Sequence, residues 1–281
     1  MVAGLLASLR MRQWMKNLLV LAAPAAAGAL DARWPAVLAA TAVFCAASSA
    51  VYLANDVADV EADRAHPVKS GRPVASGALP ARVALVASIV LALAALVGAV
   101  LVDAGAAWIV GAYLAVHVAY SLGAKHVAVL DVMMVASGFV LRAAAGAAAA
   151  DVPVSSWFIA VVAFAALAVA AGKRSSELAR AGGAGRSVLR DYTPGFLAQV
   201  QTLGVGGALV AYVLWAFELS GGDGSLAVEL SAVPFALALL RYLLLSAHGR
   251  TEAPEEAILS DRVLAAAGVA WAALFAVGIG W

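Results

Sequence analysis

The chain has 281 residues, 64% of them hydrophobic and only 12% charged, with a mean hydropathy of +0.95 and a net charge of +1. Soluble domains carry about 25% charged residues, so this composition excludes an ordinary soluble domain and describes a polytopic membrane protein. The apolar runs are too many for a signal peptide or a single anchor, and one cysteine, Cys45, excludes an intrachain disulfide.

Residues 1–16 are short, basic and without a clear cleavage site, so the segment is expected to stay on the chain. Nine apolar spans follow, at about 17–30, 35–54, 81–102, 105–121, 127–148, 154–172, 195–219, 227–247 and 261–281. No repeat or linker interrupts them, so residues 1–281 read as one domain. Lipid offers no partners to an open sheet, so the fold class is an all-α integral membrane bundle. Alanine and glycine crowd the spans, as in residues 143–150, and small residues let membrane helices approach closely.

The second span runs into residues 55–63, Asn-Asp-Val-Ala-Asp-Val-Glu-Ala-Asp. If helix continues here, Asn55, Asp59 and Asp63 share one face with Asp56 beside them. Like charges at that spacing repel, so the cluster asks for a cation. Its oxygen ligands suit Mg²⁺, which takes one or two carboxylates and completes its shell with water and substrate phosphates. The bland alternative is an acidic loop at a membrane surface. The loop continues Arg64-Ala-His-Pro-Val-Lys-Ser-Gly-Arg72. Lys69 and Arg72 beside a metal-type cluster would clamp a diphosphate, or are ordinary loop charge. His66, before a proline, reads as loop packing.

After the fourth span come Tyr120, Lys125 and His126, and the fifth span carries Asp131 and Arg142. Ionisable residues at membrane depth are costly and take a functional reading by default. These two lie about three helical turns apart and on nearly one face, so a structural ion pair bridged by other groups is the alternative. The loop after the sixth span opens Gly172-Lys-Arg-Ser-Ser-Glu177. Lys173, Glu177 and Arg180 can line one helical face there, or form a solvent-facing stub. Arg241, in the eighth span, can snorkel to the interface. Residues 252–262 either cover the site or form plain loop. The tryptophans and Met133-Met134 read as packing and interface anchors.

Fifteen of the 18 Lys and Arg residues fall in loops on one side of this map, with Arg33 alone on the other and Arg142 and Arg241 within spans. By the positive-inside rule the rich side, with the N-terminus and the acidic cluster, is cytoplasmic. The longer loops are on that side, so the active face is expected there.

Nine spans with Asn-Asp-x-x-Asp-x-x-x-Asp closing the second resemble the UbiA superfamily of membrane prenyltransferases. Within it, the chain is similar to the decaprenyl-phosphate phosphoribosyltransferases. The residues that carry this are Arg12-Gln-Trp-Met-Lys-Asn17, residues 55–63 with Lys69-Ser-Gly-Arg-Pro-Val74, Leu122-Gly-Ala-Lys-His-Val-Ala-Val-Leu-Asp131, Ser137-Gly-Phe-Val-Leu-Arg142, Gly172-Lys-Arg174 and Ala253-Pro-Glu-Glu256. The resemblance implies a bundle of about nine transmembrane helices whose central cavity opens to lipid under cytoplasmic cap loops, in a bacterial inner membrane. It implies transfer of a phosphoribosyl group from phosphoribosyl pyrophosphate to a polyprenyl phosphate for cell-wall arabinan synthesis, with Mg²⁺ as cofactor. Asp56, Asp59 and Asp63 would be catalytic, and with Asn55 would hold the metal. Lys16, Asn17, Asn55, Lys69, Arg72, Tyr120, Lys125, His126, Asp131, Arg142, Lys173, Arg174 and Glu177 would bind substrate. Membrane lipids are the expected surroundings; no nucleic-acid partner is expected, and homo-oligomers stay open.

One departure from the superfamily bears on the substrate. Prenyl-diphosphate enzymes carry a second aspartate-rich motif after span six, where this chain has Lys173-Arg-Ser-Ser-Glu177. Lys and Arg take an extra phosphate directly, which favours the phosphoribosyl donor over prenyl transfer to an aromatic acceptor. A CDP-alcohol phosphotransferase would need Asp-Gly and Ala-Arg pairs that residues 56–63 lack. A transporter would show repeated halves or broken midplane helices.

Overall fold

The computed structural model describes residues 1–181, 187–221, 225–251, 256–257 and 260–280, and among these there is no strand. The elements are α1 (Val2–Ser8), a 3₁₀ helix (Met11–Leu21), α2 (Ala22–Ala26), α3 (Leu30–Ala58), α4 (Val60–Arg64), α5 (Ala81–Val102), α6 (Ala104–Leu122), α7 (Leu130–Ala150), α8 (Ser156–Ala181), α9 (Pro194–Ser220), α10 (Leu226–Leu230), α11 (Ala232–Ala247) and α12 (Arg262–Gly278). Seven segments are long and apolar enough to cross a membrane, α10 and α11 counting as one. The protein is a multi-pass membrane protein.

Two expected spans differ from the observed elements. Residues 17–30 form no membrane-length helix: the 3₁₀ helix gives way to the short α2, which contains Pro24. The reason is in the residues. Asn17 and Val20 are fully buried, so this segment is held by protein rather than by lipid. The last span shortens to α12, 17 residues long. Two others change their limits. The sixth runs on past Gly172 to Ala181, which puts Lys173, Arg174 and Glu177 on a helix rather than in a loop. The eighth breaks at Ser231 between α10 and α11.

Lipid-facing and buried surfaces follow residue size. The exposed side of α5 presents Val86, Val90, Leu93, Val97 and Val100, as a helix against acyl chains should. Its buried contacts are small, Ala84, Ser88, Ala95 and Ala99. Close approach is tightest where the 3₁₀ helix crosses α7. A Cβ added at Gly146 would stand 1.7 Å from the Val20 carbonyl oxygen, so only glycine permits this crossing. At Gly204 of α9 a Cβ would meet the Phe164 carbonyl of α8 at 2.8 Å.

One half of the bundle is α3, α5, α6 and α7; the other is α8, α9, α11 and α12, joined through α7 against α8. At the charged end, α1 and residues 59–80 fold over α3 and α5 as a cap. Leu5 and Leu9 pack with Leu53, Val74, Leu79 and Ala84. At the opposite end the exposed Arg33–Asp151 pair, 3.6 Å apart, ties α3 to the end of α7.

Candidate functional site

The acidic cluster sits where α3 ends. Asp59 has φ −97° and ψ 9°, which breaks the helix before α4. The expected single face of Asn55, Asp59 and Asp63 is therefore replaced by a split arrangement. Asp56 and Asp63 are buried and face each other across Arg72, whose Nη1 donates to Asp63 at 2.6 Å and to Asp56 at 3.3 Å. Arg10, in a left-handed conformation (φ 52°), also donates to Asp56, and its guanidinium lies 5.0 Å from the Tyr52 ring. Asp59 instead accepts from Lys125, and Asn55 from Ser121 on α6. Arg10, Ser121 and Tyr192 were not among the expected site residues. Their roles come from contacts 46 to 66 residues apart in sequence, for which local spacing carries no signal.

Among the described residues no group of three acids, histidines or cysteines converges on a single metal position. The donor set nonetheless fits a hard cation. One nitrogen of Arg72 already occupies a point shared by two carboxylates, and Mg²⁺ needs only one or two carboxylates when phosphates supply the rest.

The second network surrounds Asp131, which has no exposed surface. It does not pair with Arg142. It holds Arg174 of α8 through Nε at 2.5 Å and accepts from the Tyr192 hydroxyl. Arg174 continues to Glu177 at 2.7 Å and to the Tyr120 hydroxyl at 3.1 Å. The Tyr192 oxygen also accepts from the Val129 amide at 2.7 Å. That contact fastens a β-branched residue at φ 69°, a conformation that costs of order 1–3 kcal/mol. Burial, and then the bond to Asp131, push the Tyr192 hydroxyl pKa well above its usual value. At the rim, Lys173 lies 4.0 Å from Glu177, and exposed His126 meets Ser187 at 3.0 Å.

The third network is centred on Arg142, deep in α7. Its Nε donates to Asn17 at 2.8 Å, Nη1 to the Gly138 carbonyl at 2.7 Å and Nη2 to the Tyr113 hydroxyl at 3.0 Å. Asn17 reaches on to Ser48 at 3.2 Å. His117 of α6 stacks edge-on to Tyr113, with centroids 4.4 Å apart. Sequence reasoning passed over His117, although Tyr113, His117 and Tyr120 share one helical face.

The remaining expected residues take peripheral places. Lys16 donates to Gln13. Lys69 lies in a 3₁₀ turn that His66 organises, its Nδ1 accepting from the amides of Val68 and Lys69 at 3.2 and 3.3 Å. Arg241 does not snorkel freely; it pairs with Asp261 at 2.7 Å. Residues 253–255 of the Ala-Pro-Glu-Glu motif, and Arg186, lie outside the described residues. Glu256 meets Arg12 at 3.2 Å.

Beside these networks lies an apolar cavity of about 530 Å³, lined by Leu19 and Ala22, Phe139, Phe158, Tyr212 and Trp215, Phe235, and Trp271 and Phe275. It touches α2, α7, α8, α9, α11 and α12.

Comparison with known proteins places this arrangement. A protein from Mycolicibacterium smegmatis named decaprenyl-phosphate phosphoribosyltransferase is 43% identical over 96% of this chain and 91% of its own length. One of the same name from Corynebacterium glutamicum is 44% identical over 95% of this chain and 84% of its own. A UbiA homologue from Archaeoglobus fulgidus, bound to DMAPP and Mg²⁺, superposes with a TM-score of 0.74 at 18% identity, covering 98% of this chain and 97% of that one. The apo structure of a UbiA homologue from Aeropyrum pernix gives 0.71 at 16% identity, covering 95% and 98%. The family model described as the UbiA prenyltransferase family matches residues 17–263. The chain belongs to the UbiA prenyltransferase family.

Proposed function

We propose that the protein transfers a 5-phosphoribosyl group from phosphoribosyl pyrophosphate to a polyprenyl phosphate, releasing pyrophosphate, at the cytoplasmic face of a bacterial inner membrane. The product would serve cell-wall arabinan synthesis. The observation that carries this reading is full-length likeness, at 43–44% identity, to proteins named decaprenyl-phosphate phosphoribosyltransferase. Three features support it. The end of α8, where prenyl-diphosphate enzymes would need a second acidic motif, instead carries Lys173 at the surface and Arg174 buried against Asp131 and Glu177. The 530 Å³ apolar cavity suits a polyprenyl tail. The lopsided distribution of Lys and Arg supports a cytoplasmic active face.

Asp56 and Asp63, with Asp59 and Asn55 alongside, would hold Mg²⁺, which neutralises charge on the departing pyrophosphate when bound. Arg72 and Lys125, now bonded to those carboxylates, would turn to phosphate oxygens as the carboxylates engage the metal. Lys173 and His126, at the open rim, would take the ribose 5-phosphate. Arg174 is locked by Asp131, Glu177 and Tyr120, so it presents charge at a fixed position. The bond from C1 to the pyrophosphate oxygen breaks and its electron pair leaves with pyrophosphate. An oxygen of the lipid phosphate then closes on C1 from the opposite face. That nucleophile is already anionic, so the protein needs no general base; its work is positioning and charge stabilisation.

The test is detergent-solubilised protein given phosphoribosyl pyrophosphate labelled in the ribose, Mg²⁺ and a polyprenyl phosphate. Label should enter the lipid phase and stop entering it with EDTA. Turnover of a prenyl diphosphate with an aromatic acceptor, and no ribose transfer, would replace this reading with prenyl transfer.

A further inference from the structure

Two cations are buried among the described residues, Arg174 and Arg142. Arg174 faces two carboxylates, Asp131 and Glu177. Arg142, 5% exposed, has no carboxylate partner among the described residues: its three hydrogen bonds go to an amide, a backbone carbonyl and a phenol. A guanidinium has five N–H donors, so two remain. A buried charge is expensive unless a counter-charge meets it, and one at membrane depth marks a functional site by default. Beside it, His117 has its Nε2 buried and without a hydrogen-bond partner, where buried polar atoms are nearly always satisfied. Both groups lie against Gly138 and so near each other: a Cβ there would stand 3.2 Å from Arg142 Nη1 and 3.5 Å from His117 Nε2, a crowding that glycine relieves.

The apolar cavity passes close to this pair, although neither side chain lines it. Phe139, which lines it, holds its ring 5.6 Å from the Arg142 guanidinium carbon. Leu19, on the same wall, is two residues from Asn17, the partner of Arg142. The guanidinium also lies over the rings of Phe44 and Tyr113, at 5.9 and 5.0 Å, but an oily cavity separated by one ring from a cation that no carboxylate meets suits an amphiphile with an anionic head.

We propose that Arg142 and His117 seat the phosphate of the acceptor lipid, with its tail in the apolar cavity, while the donor's phosphates belong to the rim residues. The proposal rests on the phosphoribosyl reading for the identity of the acceptor. His117, as the Nε2–H tautomer, donates to one phosphate oxygen and the spare N–H groups of Arg142 to others. This separates the two substrates by depth: the water-soluble donor binds at the charged cap and the lipid head sits below it.

The test uses wild type, His117→Phe, His117→Gln and Arg142→Gln. Phenylalanine keeps the ring packing on Tyr113 and Tyr120, so the His117 variants stay informative if Arg142→Gln fails to fold. Transfer is measured with each substrate varied against the other, and lipid binding through tryptophan fluorescence, since Trp215 and Trp271 line the cavity. His117→Phe should raise the KM for polyprenyl phosphate about tenfold, the scale of one hydrogen bond to a charged group, and leave that for phosphoribosyl pyrophosphate within about twofold. His117→Gln should recover most of the loss. Wild type should bind polyprenyl phosphate more tightly than uncharged polyprenol; His117→Phe should cut that preference about tenfold, and Arg142→Gln should abolish it. An unchanged lipid KM, or a donor KM that rises as much, overturns the proposal. So does wild type that binds the two lipids equally. If wild type prefers the phosphate, the variants weaken the preference in this way, and no ribose is transferred, the seat stands and the phosphoribosyl reading falls.

Discussion

Asp131→Asn removes one charge from the most enclosed ion pair of the bundle. Asp131 is fully buried and Arg174 is 2% exposed, so solvent cannot replace the lost partner. Breaking a buried pair from one side costs about 3–5 kcal/mol because the other charge is stranded. Here Arg174 keeps Glu177 at 2.7 Å and Tyr120 at 3.1 Å, which sets the expectation at the low end, about 3 kcal/mol. At about 2 °C per kcal/mol, the low end of the range for chains somewhat shorter than this one, the melting temperature should fall by about 6 °C. Scanning fluorimetry in one detergent reads this directly. The double variant with Arg174→Met removes both charges, and should melt higher than the sum of the single losses allows, with a coupling of about 1 kcal/mol or more. Strictly additive losses would mean that the two side chains do not share one buried pair, and the network joining α7 to α8 would have to be redrawn.

Asp59→Ala should reduce transfer by about a hundredfold or more, as loss of one preorganised electrostatic group does. It should move the melting temperature little, because Asp59 is 34% exposed and its pair with Lys125 is partly solvated; full activity would remove Asp59 from the metal set. Gly146→Ala places a methyl group against the Val20 carbonyl and should destabilise the protein by about 1–3 kcal/mol or more, and an unchanged melting curve would contradict the observed crossing. Tyr192 is held protonated by burial and Asp131, above its ordinary pKa. Its stabilising contribution is thus complete below about pH 10 and declines as pH rises beyond that. Wild type should lose stability above pH 10 more steeply than Tyr192→Phe, whereas parallel slopes would contradict the buried bond.

Hydropathy made the bundle legible because lipid demands long apolar helices, and most span positions need little else. The first segment misled for a physical reason. Residues 17–30 are apolar enough for lipid, but Asn17 and Val20 are buried by protein, and a 3₁₀ helix there needs the absent Cβ of Gly146, more than 120 residues away. Hydropathy also ended α8 too early, because charged residues look like loop when their partners are unseen. Lys173 and Arg174 stay helical because Asp131 and Glu177 receive that charge. The acidic cluster was visible as a motif, yet its internal pairing was not: the break at Asp59 sends Asp56 and Asp63 to Arg72 and Asp59 to Lys125. Arg142 stood out as a charge within a span. His117, a lone histidine on an apolar helix, acquires meaning only once α6 and α7 are packed together.

If phosphoribosyl is the group moved and the lipid phosphate is its acceptor, each transfer releases one pyrophosphate. The most direct measurement counts pyrophosphate released from phosphoribosyl pyrophosphate by the purified protein, with and without polyprenyl phosphate, against ribose recovered in the lipid phase. One pyrophosphate for each lipid-linked ribose, and none without the lipid, is the predicted result. Pyrophosphate released at the same rate without lipid, or no release while a prenyl diphosphate is consumed, would contradict it.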